Sequence, residues 1–193
     1  MSTILILQGH PDPAGGHLCH ALADAYAAGA VAAGHAVHRI DVASLDVPFL
    51  RTQAAFETDP PPDSLVAVQA ALARADHLVI VFPLWLGGMP AVLKGFLEQL
   101  LRPGFAFDYL PGGGARMRLK GRSARVVVTM GMPAIAFRLW YMGAGLSALT
   151  RGILGFVGFA PVRTTVLGGV GTADGAKRAR WLARMEALGR TAR

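Results

Sequence analysis

The chain of 193 residues has a formal net charge of +7, a hydrophobic fraction of 53%, a charged fraction of 16% and one cysteine. The length fits one domain over residues 1–193, and a single cysteine excludes an internal disulfide. The basic residues cluster only at 116–125 and 177–184, so solvated surface is a simpler interpretation than a nucleic-acid groove, and attraction of an anionic cofactor such as NADPH is a third.

Strands and helices alternate along the chain. Apolar runs predict strands at 3–7, 36–42, 78–82, 123–129 and 161–167. Helical periodicity predicts helices from Gly16 or His17 to residue 33, and at 64–75, 91–101, 146–157 and 173–188, with Pro90 at a first helical position and Asp63 or Ser64 as an N-cap. Segments 44–62, 102–121 and 130–143 are predicted to be irregular because Pro and Gly interrupt them.

This alternation predicts an α/β fold of the doubly wound type, with a five-stranded parallel sheet in the order 2-1-3-4-5 and helices on both faces. In that order strands 1, 3 and 4 are neighbours. The loops after them, QGHPDPAGGH, PLWLGGMP and MGMPAIAFRLWYMG, then meet at one edge of the sheet. Ligands of open α/β sheets bind at this kind of edge.

The first of these loops ends at a helix start, where free backbone N–H groups and the helix dipole suit a phosphate. His10 and His17 are candidate phosphate donors, although a capping His10 and a surface His17 are an equally good interpretation. His17, Cys19 and His20 lack the spacing of a metal motif, so we expect no metal site.

The second loop offers Trp85 and Leu86 beside amides freed by Gly87 and Gly88, a combination suited to a flat, partly polar ring. Burial of Trp85 in the core or in a dimer contact is the competing interpretation. The third loop supplies Thr129 and the backbone of Met130 and Gly131. A phosphate end and a planar-ring end along one sheet edge indicate a flavin nucleotide.

Three segments, in this order and spacing, resemble the flavodoxin-like NAD(P)H:quinone oxidoreductase family: ILILQGHPDP at 4–13, FPLWLGGMPAVLKGF at 82–96 and TMGMPA at 129–134. The resemblance implies hydride transfer from NAD(P)H through bound FMN or FAD to a quinone-like acceptor, in a site across a homodimer interface. It implies that the flavin phosphate end is held by His10, Gly16, His17 and Leu18, and the isoalloxazine ring by Pro83, Leu84, Trp85, Leu86, Thr129, Met130 and Gly131.

The sequence departs from that family in two places. Gly15-Gly16-His17 stands where these enzymes usually have Ser-Phe-Asn, and Phe137 and Gly143 stand where they carry a Tyr and a His beside the flavin. Tyr141 is the candidate catalytic substitute. Because the family also contains ancillary subunits of potassium-efflux systems, a flavin-binding regulatory subunit with little turnover is the alternative function.

Composition and segment lengths add three expectations. The low charged fraction favours a homodimer that buries apolar surface. The apolar segment 139–162 carries Arg151 and is interrupted by Gly and Pro, which argues against a membrane span. The first residues read as a strand rather than as a signal peptide, so we expect a cytoplasmic protein.

Overall fold

The computed structural model describes residues 1–192, except for the side chain of Arg138. Its strands are β1 (Thr3–Gln8), β2 (Ala36–Asp41), β3 (His77–Pro83), β4 (Phe107–Tyr109), β5 (Ala115–Met117), β6 (Ser123–Met130) and β7 (Val162–Gly168). The central sheet is parallel, in the order β2-β1-β3-β6-β7, while β4 and β5 form a separate antiparallel hairpin. The five-stranded parallel sheet of an α/β fold is confirmed.

The helices are α1 (Leu18–Ala32), α2 (Gln53–Thr58), α3 (Asp63–Arg74), α4 (Ala91–Leu100), α5 (Ala134–Trp140), α6 (Ala144–Ser147) and α7 (Gly175–Arg190), with a π-helical segment at Ala148–Gly155. They cover both faces of the sheet. In β1, Ile4 and Ile6 pack in a cluster with α1 and α7, whereas Leu5 and Leu7 pack in a second cluster with α3 and α4. Burial on both faces explains the continuous apolar runs of the strands.

Helices α1 and α7 pack at very close range, because a Cβ built on Gly29 would lie 2.0 Å from the carbonyl oxygen of Glu186. A Cβ on Gly189 would similarly lie 2.1 Å from the carbonyl oxygen of Tyr26. Both positions therefore require glycine. This contact holds the last helix against the first and covers one face of the sheet.

The prediction that segments 44–62, 102–121 and 130–143 are irregular was wrong in part. Thr52 caps α2, since its side chain accepts a hydrogen bond from the amide of Ala55. In the second segment, Asp108 of β4 forms ion pairs with Arg116 of β5 and with Arg118, which follows β5. These ion pairs stabilise the hairpin. Helix α5 begins directly after Pro133 in the third segment.

Several predicted helix starts were displaced by one or two residues. Pro90 is the N-cap of α4 with an extended ψ of 146°, instead of its first helical residue. Pro62 takes the cap position of α3, so Asp63 lies in the first turn. The last helix begins at Gly175, and the Asp174 side chain accepts from the amide of Lys177. No helix within residues 1–192 is long and apolar enough to cross a membrane.

Candidate functional site

The loops after β1, β3 and β6 leave the sheet side by side. The amide of Gly9 donates to the carbonyl of Val81 over 2.8 Å, and the amide of Leu84 donates to the carbonyl of Thr129 over 2.7 Å. The three strand ends are thus joined by backbone hydrogen bonds. The loops predicted to meet at this edge therefore begin next to one another.

The loop after β1 is organised around Asp12. The Asp12 amide donates to Nδ1 of His10 over 3.2 Å, and the Asp12 carboxylate lies 2.7 Å from Nε2 of His17. The same carboxylate accepts from the amide of Ala14 over 2.9 Å. The hydrogen bond from His17 lowers the pKa of the Asp12 carboxyl. Of these residues, His10 and His17 were predicted from the sequence and Asp12 was not.

Three imidazole rings lie together at this loop. The His10 and His17 rings stack with centroids 3.9 Å apart, and the His20 ring lies 5.4 Å from that of His10. His20 is buried, and neither of its ring nitrogens has a hydrogen-bond partner within residues 1–192. Burial, together with the neighbouring His17 and His20, lowers the pKa of His10. The ring of His10 is therefore neutral near pH 7.

Gln8 is a second residue that sequence reasoning missed. It is fully buried at the end of β1, and its Oε1 accepts the amide hydrogen of His10 over 2.9 Å. The only signal in the sequence is a polar residue that ends an apolar strand. Gln8 holds the first residue of the histidine loop against the sheet.

The helix after this loop was predicted to begin at Gly16 or His17, and it begins at Leu18. His17 is the N-cap of α1 with an extended backbone, and Leu18 is its first residue. Gly15 and Gly16 both have a φ of 75°, a left-handed conformation that favours glycine. In the first helical turn the N–H of His20 donates to the carbonyl of His17 over 2.9 Å. The N–H groups of Leu18 and Cys19 are the donors with which this end can bind an anion.

The loop after β3 is a tight turn. The amide of Trp85 donates to the carbonyl of Gly88 over 2.9 Å, and the amide of Gly88 donates back over 3.0 Å. Leu86 and Gly87 have φ values of 47° and 79° at the two central positions. The expectation that Gly88 offers a free amide was therefore wrong, because the turn itself uses that donor.

Trp85 lies at the surface and not in the core. It is 52% exposed, and its ring stands edge-on to the ring of His10 with centroids 6.4 Å apart. Pro83 and Leu84 before it are half-buried. An aromatic surface and an imidazole donor are thus placed on neighbouring loops.

The end of β6 is more enclosed than the sequence suggested. The Thr129 hydroxyl lies 3.2 Å from Sγ of Cys19, and both residues are buried. Burial raises the pKa of the Cys19 thiol to about 11, so the thiol stays protonated and is no nucleophile. Met130 is buried and Gly131 is exposed. Both the carbonyl and the hydroxyl of Thr129 are used inside the protein.

Tyr141 lies against the tryptophan turn. A Cβ built on Gly87 would lie 3.6 Å from the Tyr141 ring, which also stacks on Phe137 at a centroid distance of 6.0 Å. Phe137 is buried in the core, whereas Tyr141 is 42% exposed. Gly143 has a left-handed φ of 64°. Of these three, only Tyr141 presents an accessible polar group.

A surface rich in apolar side chains extends from the tryptophan turn into helix α5 and the residues after it. Its large exposed members are Trp85, Leu86, Ile135, Leu139, Trp140 and Met142. A monomer seldom exposes so many large apolar side chains in neighbouring segments. The surface therefore supports the expectation of a covering partner or ligand.

Two cavities lie away from this edge. One of about 240 Å³ is lined by residues of α2, α4, the hairpin and the π-helical segment, and one of about 480 Å³ lies between residues 48–62 and the end of α4. The predicted site is instead an open surface formed by loops. Within residues 1–192 no group of three or more His, Cys, Asp or Glu side chains could hold a metal ion.

The sheet order and the three converging loops agree with the comparison of the whole chain with family models. A model described as the flavodoxin-like fold matches residues 2–188. The chain belongs to this family. This match confirms the resemblance that three short segments indicated, and it extends over residues 2–188.

Curated relatives of this flavodoxin-like protein are oxidoreductases. FMN-dependent NADH:quinone oxidoreductase 1 of Jannaschia sp. is 38% identical over 117 residues, which are 58% of this chain and 54% of that protein. Ribosyldihydronicotinamide dehydrogenase (quinone) of Mus musculus is 28% identical over 151 residues, which are 72% of this chain and 63% of that protein. The chain spans about half the length of the first curated relatives that it matches.

The fold also matches solved structures over its full length. NAD(P)H:quinone oxidoreductase from Methanothermobacter marburgensis superposes with a TM-score of 0.83 at 24% identity, covering 98% of this chain and 96% of that one. An FMN-dependent NADH-azoreductase from Bacillus anthracis, solved in complex with FMN, superposes with a TM-score of 0.74 at 18% identity, covering all of both chains. At these identities the likeness establishes the fold.

Proposed function

We propose that this flavodoxin-like chain is a flavin-dependent oxidoreductase that passes a hydride from NADH or NADPH through bound flavin to a quinone-like acceptor. The observation that carries the proposal is the juxtaposition of His10 and Trp85 on neighbouring loops at the carboxyl edge of the sheet. The names of the curated relatives support the same activity. We further propose that residues 1–193 act as one flavin-binding domain and that a homodimer completes the site.

The residues at this edge fit a flavin nucleotide. The start of α1 and the left-handed Gly16 offer backbone donors to a phosphate, and His10 adds an imidazole beside them. The exposed Trp85 offers an aromatic surface to a planar ring. In this assignment the phosphate end contacts His10, Gly16, His17 and Leu18, and the ring contacts Pro83, Leu84, Trp85, Leu86, Thr129, Met130 and Gly131. FMN suits the proposal as well as FAD does. Two of the relatives are named as FMN-dependent enzymes, which favours FMN.

When bound, a flavin supplies the redox chemistry, accepting a hydride and passing on its electrons. The protein's part is to bind and orient the reactants. Met130 ends β6 and Gly131 follows it, and backbone N–H groups at this position favour negative charge on an adjacent ring. Leu84 and Thr129, joined by a 2.7 Å backbone hydrogen bond, hold the two ring-side loops at a fixed separation. Tyr141, accessible beside Gly87, is the candidate proton donor.

The first experiment is the absorption spectrum of the purified protein, followed by mass identification of what heating releases. We expect bound flavin, and oxidation of NADH or NADPH with a benzoquinone acceptor. Reciprocal plots of the initial rates should give the parallel lines of a ping-pong mechanism, because both substrates use one site in turn. Protein that retains no flavin and binds neither FMN nor FAD in a titration would refute the proposal. Flavin-loaded protein without turnover, but in a stable protein complex, would instead indicate a regulatory subunit.

A further inference from the structure

Asp12 joins the two histidines of the phosphate loop through different atoms. Its backbone N–H donates to Nδ1 of His10 over 3.2 Å, and one carboxylate oxygen lies 2.7 Å from Nε2 of His17. The other carboxylate oxygen accepts from the amide of Ala14 over 2.9 Å and closes the turn. One partly exposed residue therefore determines the conformation of the loop and the orientation of both rings.

These bonds decide which ring nitrogen is a donor. Because Nδ1 of His10 accepts a hydrogen bond, the neutral ring must carry its proton on Nε2. Nε2 of His10 has no protein partner in the described residues and is not among the fully buried nitrogen atoms, so its N–H is available to a ligand. His17 uses its Nε2–H on the Asp12 carboxylate and lies stacked on His10.

We propose that Asp12 is a positioning residue for the phosphate of the bound nucleotide, acting through the orientation of His10 and His17. This inference rests on the proposed flavin-binding function and deepens it. Asp12 itself would not contact the phosphate, since a carboxylate repels a dianion. Its bonds to Ala14 and His17 stabilise the loop shape in which the His10 Nε2–H and the N–H groups at the start of α1 are presented together.

The charge and the positioning role of Asp12 have opposite effects on the affinity for phosphate, so they can be tested separately. As a nearby negative charge, Asp12 weakens phosphate binding, so its removal should strengthen binding. As a positioning group, it strengthens phosphate binding, so its removal should weaken binding. A substitution that removes the charge but keeps the hydrogen bonds separates these effects.

The experiment measures the affinity of FMN and of riboflavin, which lacks the phosphate, for the wild type and for Asp12→Asn, Asp12→Ala and Asp12→Ser. Fluorescence titration with apoprotein serves for all of them. Asp12→Asn keeps an oxygen that accepts from the Ala14 amide and places an NH2 group opposite His17, where it can donate to Nε2 of the other His17 tautomer. Both contacts of the turn are thus retained without the charge, so we expect FMN affinity equal to or above that of the wild type. Asp12→Ala should bind FMN about fivefold to tenfold more weakly, the effect of a lost hydrogen bond. Riboflavin affinity should change by less than about twofold in every variant, by the same arithmetic.

Asp12→Ser distinguishes turn formation from ring orientation. Serine can accept from Ala14 but is too short to reach His17, so we expect it to behave like the alanine variant. Glu186→Ala is the matched control: Glu186 has 46% of its side chain exposed against 45% for Asp12, and it also pairs with a basic residue, Arg190. Its removal changes the net charge equally and should leave FMN affinity unchanged.

Three results would overturn the inference. The first is FMN binding by Asp12→Ala that equals or exceeds that of the wild type, which would mean that only charge matters. The second is an equal loss of FMN and riboflavin affinity, which would indicate general damage to the site. The third is wild-type affinity in Asp12→Ser, which would mean that only the turn matters. If the wild type binds flavin, these results count against Asp12 alone, whereas a wild type that binds no flavin refutes the proposed function itself.

Discussion

The imidazole rings of His10 and His17 stack with centroids 3.9 Å apart and planes inclined by 15°. Two stacked rings cannot both become cations at this distance without mutual repulsion. Burial and this neighbour lower the pKa of His10, while the Asp12 carboxylate lies within hydrogen-bond distance of His17. His10 is therefore a neutral ring with a defined tautomer.

That relationship predicts the NMR signals of the apoprotein. His10 should show an unprotonated Nδ1 and a protonated Nε2, and it should titrate below the ordinary value of 6.5, because burial penalises its charged form. Long-range proton–nitrogen spectra recorded from pH 8 to about pH 5 measure both properties. His38, which is exposed on β2, is the internal reference. A protonated Nδ1 on His10 at neutral pH would contradict the hydrogen bond from Asp12.

Trp85→Ala tests the ring side of the site. Since Trp85 is 52% exposed, its truncation should lower the free energy of unfolding of the apoprotein by less than about 1 kcal/mol. Flavin affinity should fall by roughly 1–3 kcal/mol if an aromatic contact with the ring is lost. Thermal midpoints of apo and flavin-saturated protein, together with flavin titrations, measure both effects.

The matched control for this change is Phe49→Ala, which removes an aromatic side chain of 60% exposure that contacts Gly95 on α4. It should leave flavin affinity unaltered. A Trp85→Ala variant whose apo midpoint drops as far as its holo midpoint would mean that Trp85 contributes to stability and not to the ligand.

Leu86→Gly should make the protein more stable. Leu86 is fully exposed and has a φ of 47°, a conformation that costs an L-residue with a side chain roughly 1–2 kcal/mol. Glycine loses more conformational entropy on folding than leucine does, which offsets part of this gain. The net increase in the free energy of unfolding should be about 0.5–1 kcal/mol. Chemical denaturation measures the change. If Leu86 contacts flavin or a second copy of the chain, flavin affinity or dimerisation should weaken at the same time.

Leu110→Gly is the control of opposite sign. Leu110 lies in the β4–β5 hairpin and is not among the residues with positive φ. At position 110 glycine relieves no backbone strain and only loses more conformational entropy on folding. The variant should therefore be less stable than the wild type by about 0.5–1 kcal/mol. A loss of stability in Leu86→Gly of the same size would show that the leucine makes contacts that outweigh its strained backbone.

His77 predicts a pH dependence of stability. It is buried at the start of β3 with Nδ1 2.7 Å from the Ser123 hydroxyl, and burial lowers its pKa from 6.5 to about 4. Repulsion from the charges of Arg125 and Arg163 is a smaller part of the same shift. Between pH 6.5 and about pH 4, His77 is therefore protonated in the unfolded chain but neutral in the folded protein. The contribution of His77 to the free energy of unfolding is complete above pH 6.5 and falls as the pH is lowered towards 4.

The loss attributable to His77 should be on the order of 3 kcal/mol at pH 4, and it should be complete about one pH unit lower. Urea unfolding of the wild type and of His77→Gln across this range isolates it, because the acidic residues contribute equally to both proteins. His38→Gln removes an exposed histidine of β2 and should keep the wild-type slope. Identical slopes in wild type and His77→Gln would mean that His77 is protonated in the folded protein.

The sequence by itself determined the parallel sheet and the meeting of the three loops. Strands buried on both faces have continuous apolar runs, and amphipathic helices repeat every three to four residues, so burial is visible locally. The alternation of these two patterns then leaves few arrangements, and the loops after β1, β3 and β6 meet in the observed one. Family resemblance added the ligand that we propose, which no periodicity contains.

Only the tertiary structure decided how the side chains of the site are used. No sequence pattern shows that the hydroxyl of Thr129 contacts Cys19, 110 positions away in the chain. Gly88 was expected to free an amide, but the turn uses it. The roles of Asp12 and Gln8 were missed for a related reason. A hydrogen bond depends on distances and angles of a few tenths of an ångström, and the pattern of apolar residues fixes only which face of an element is buried.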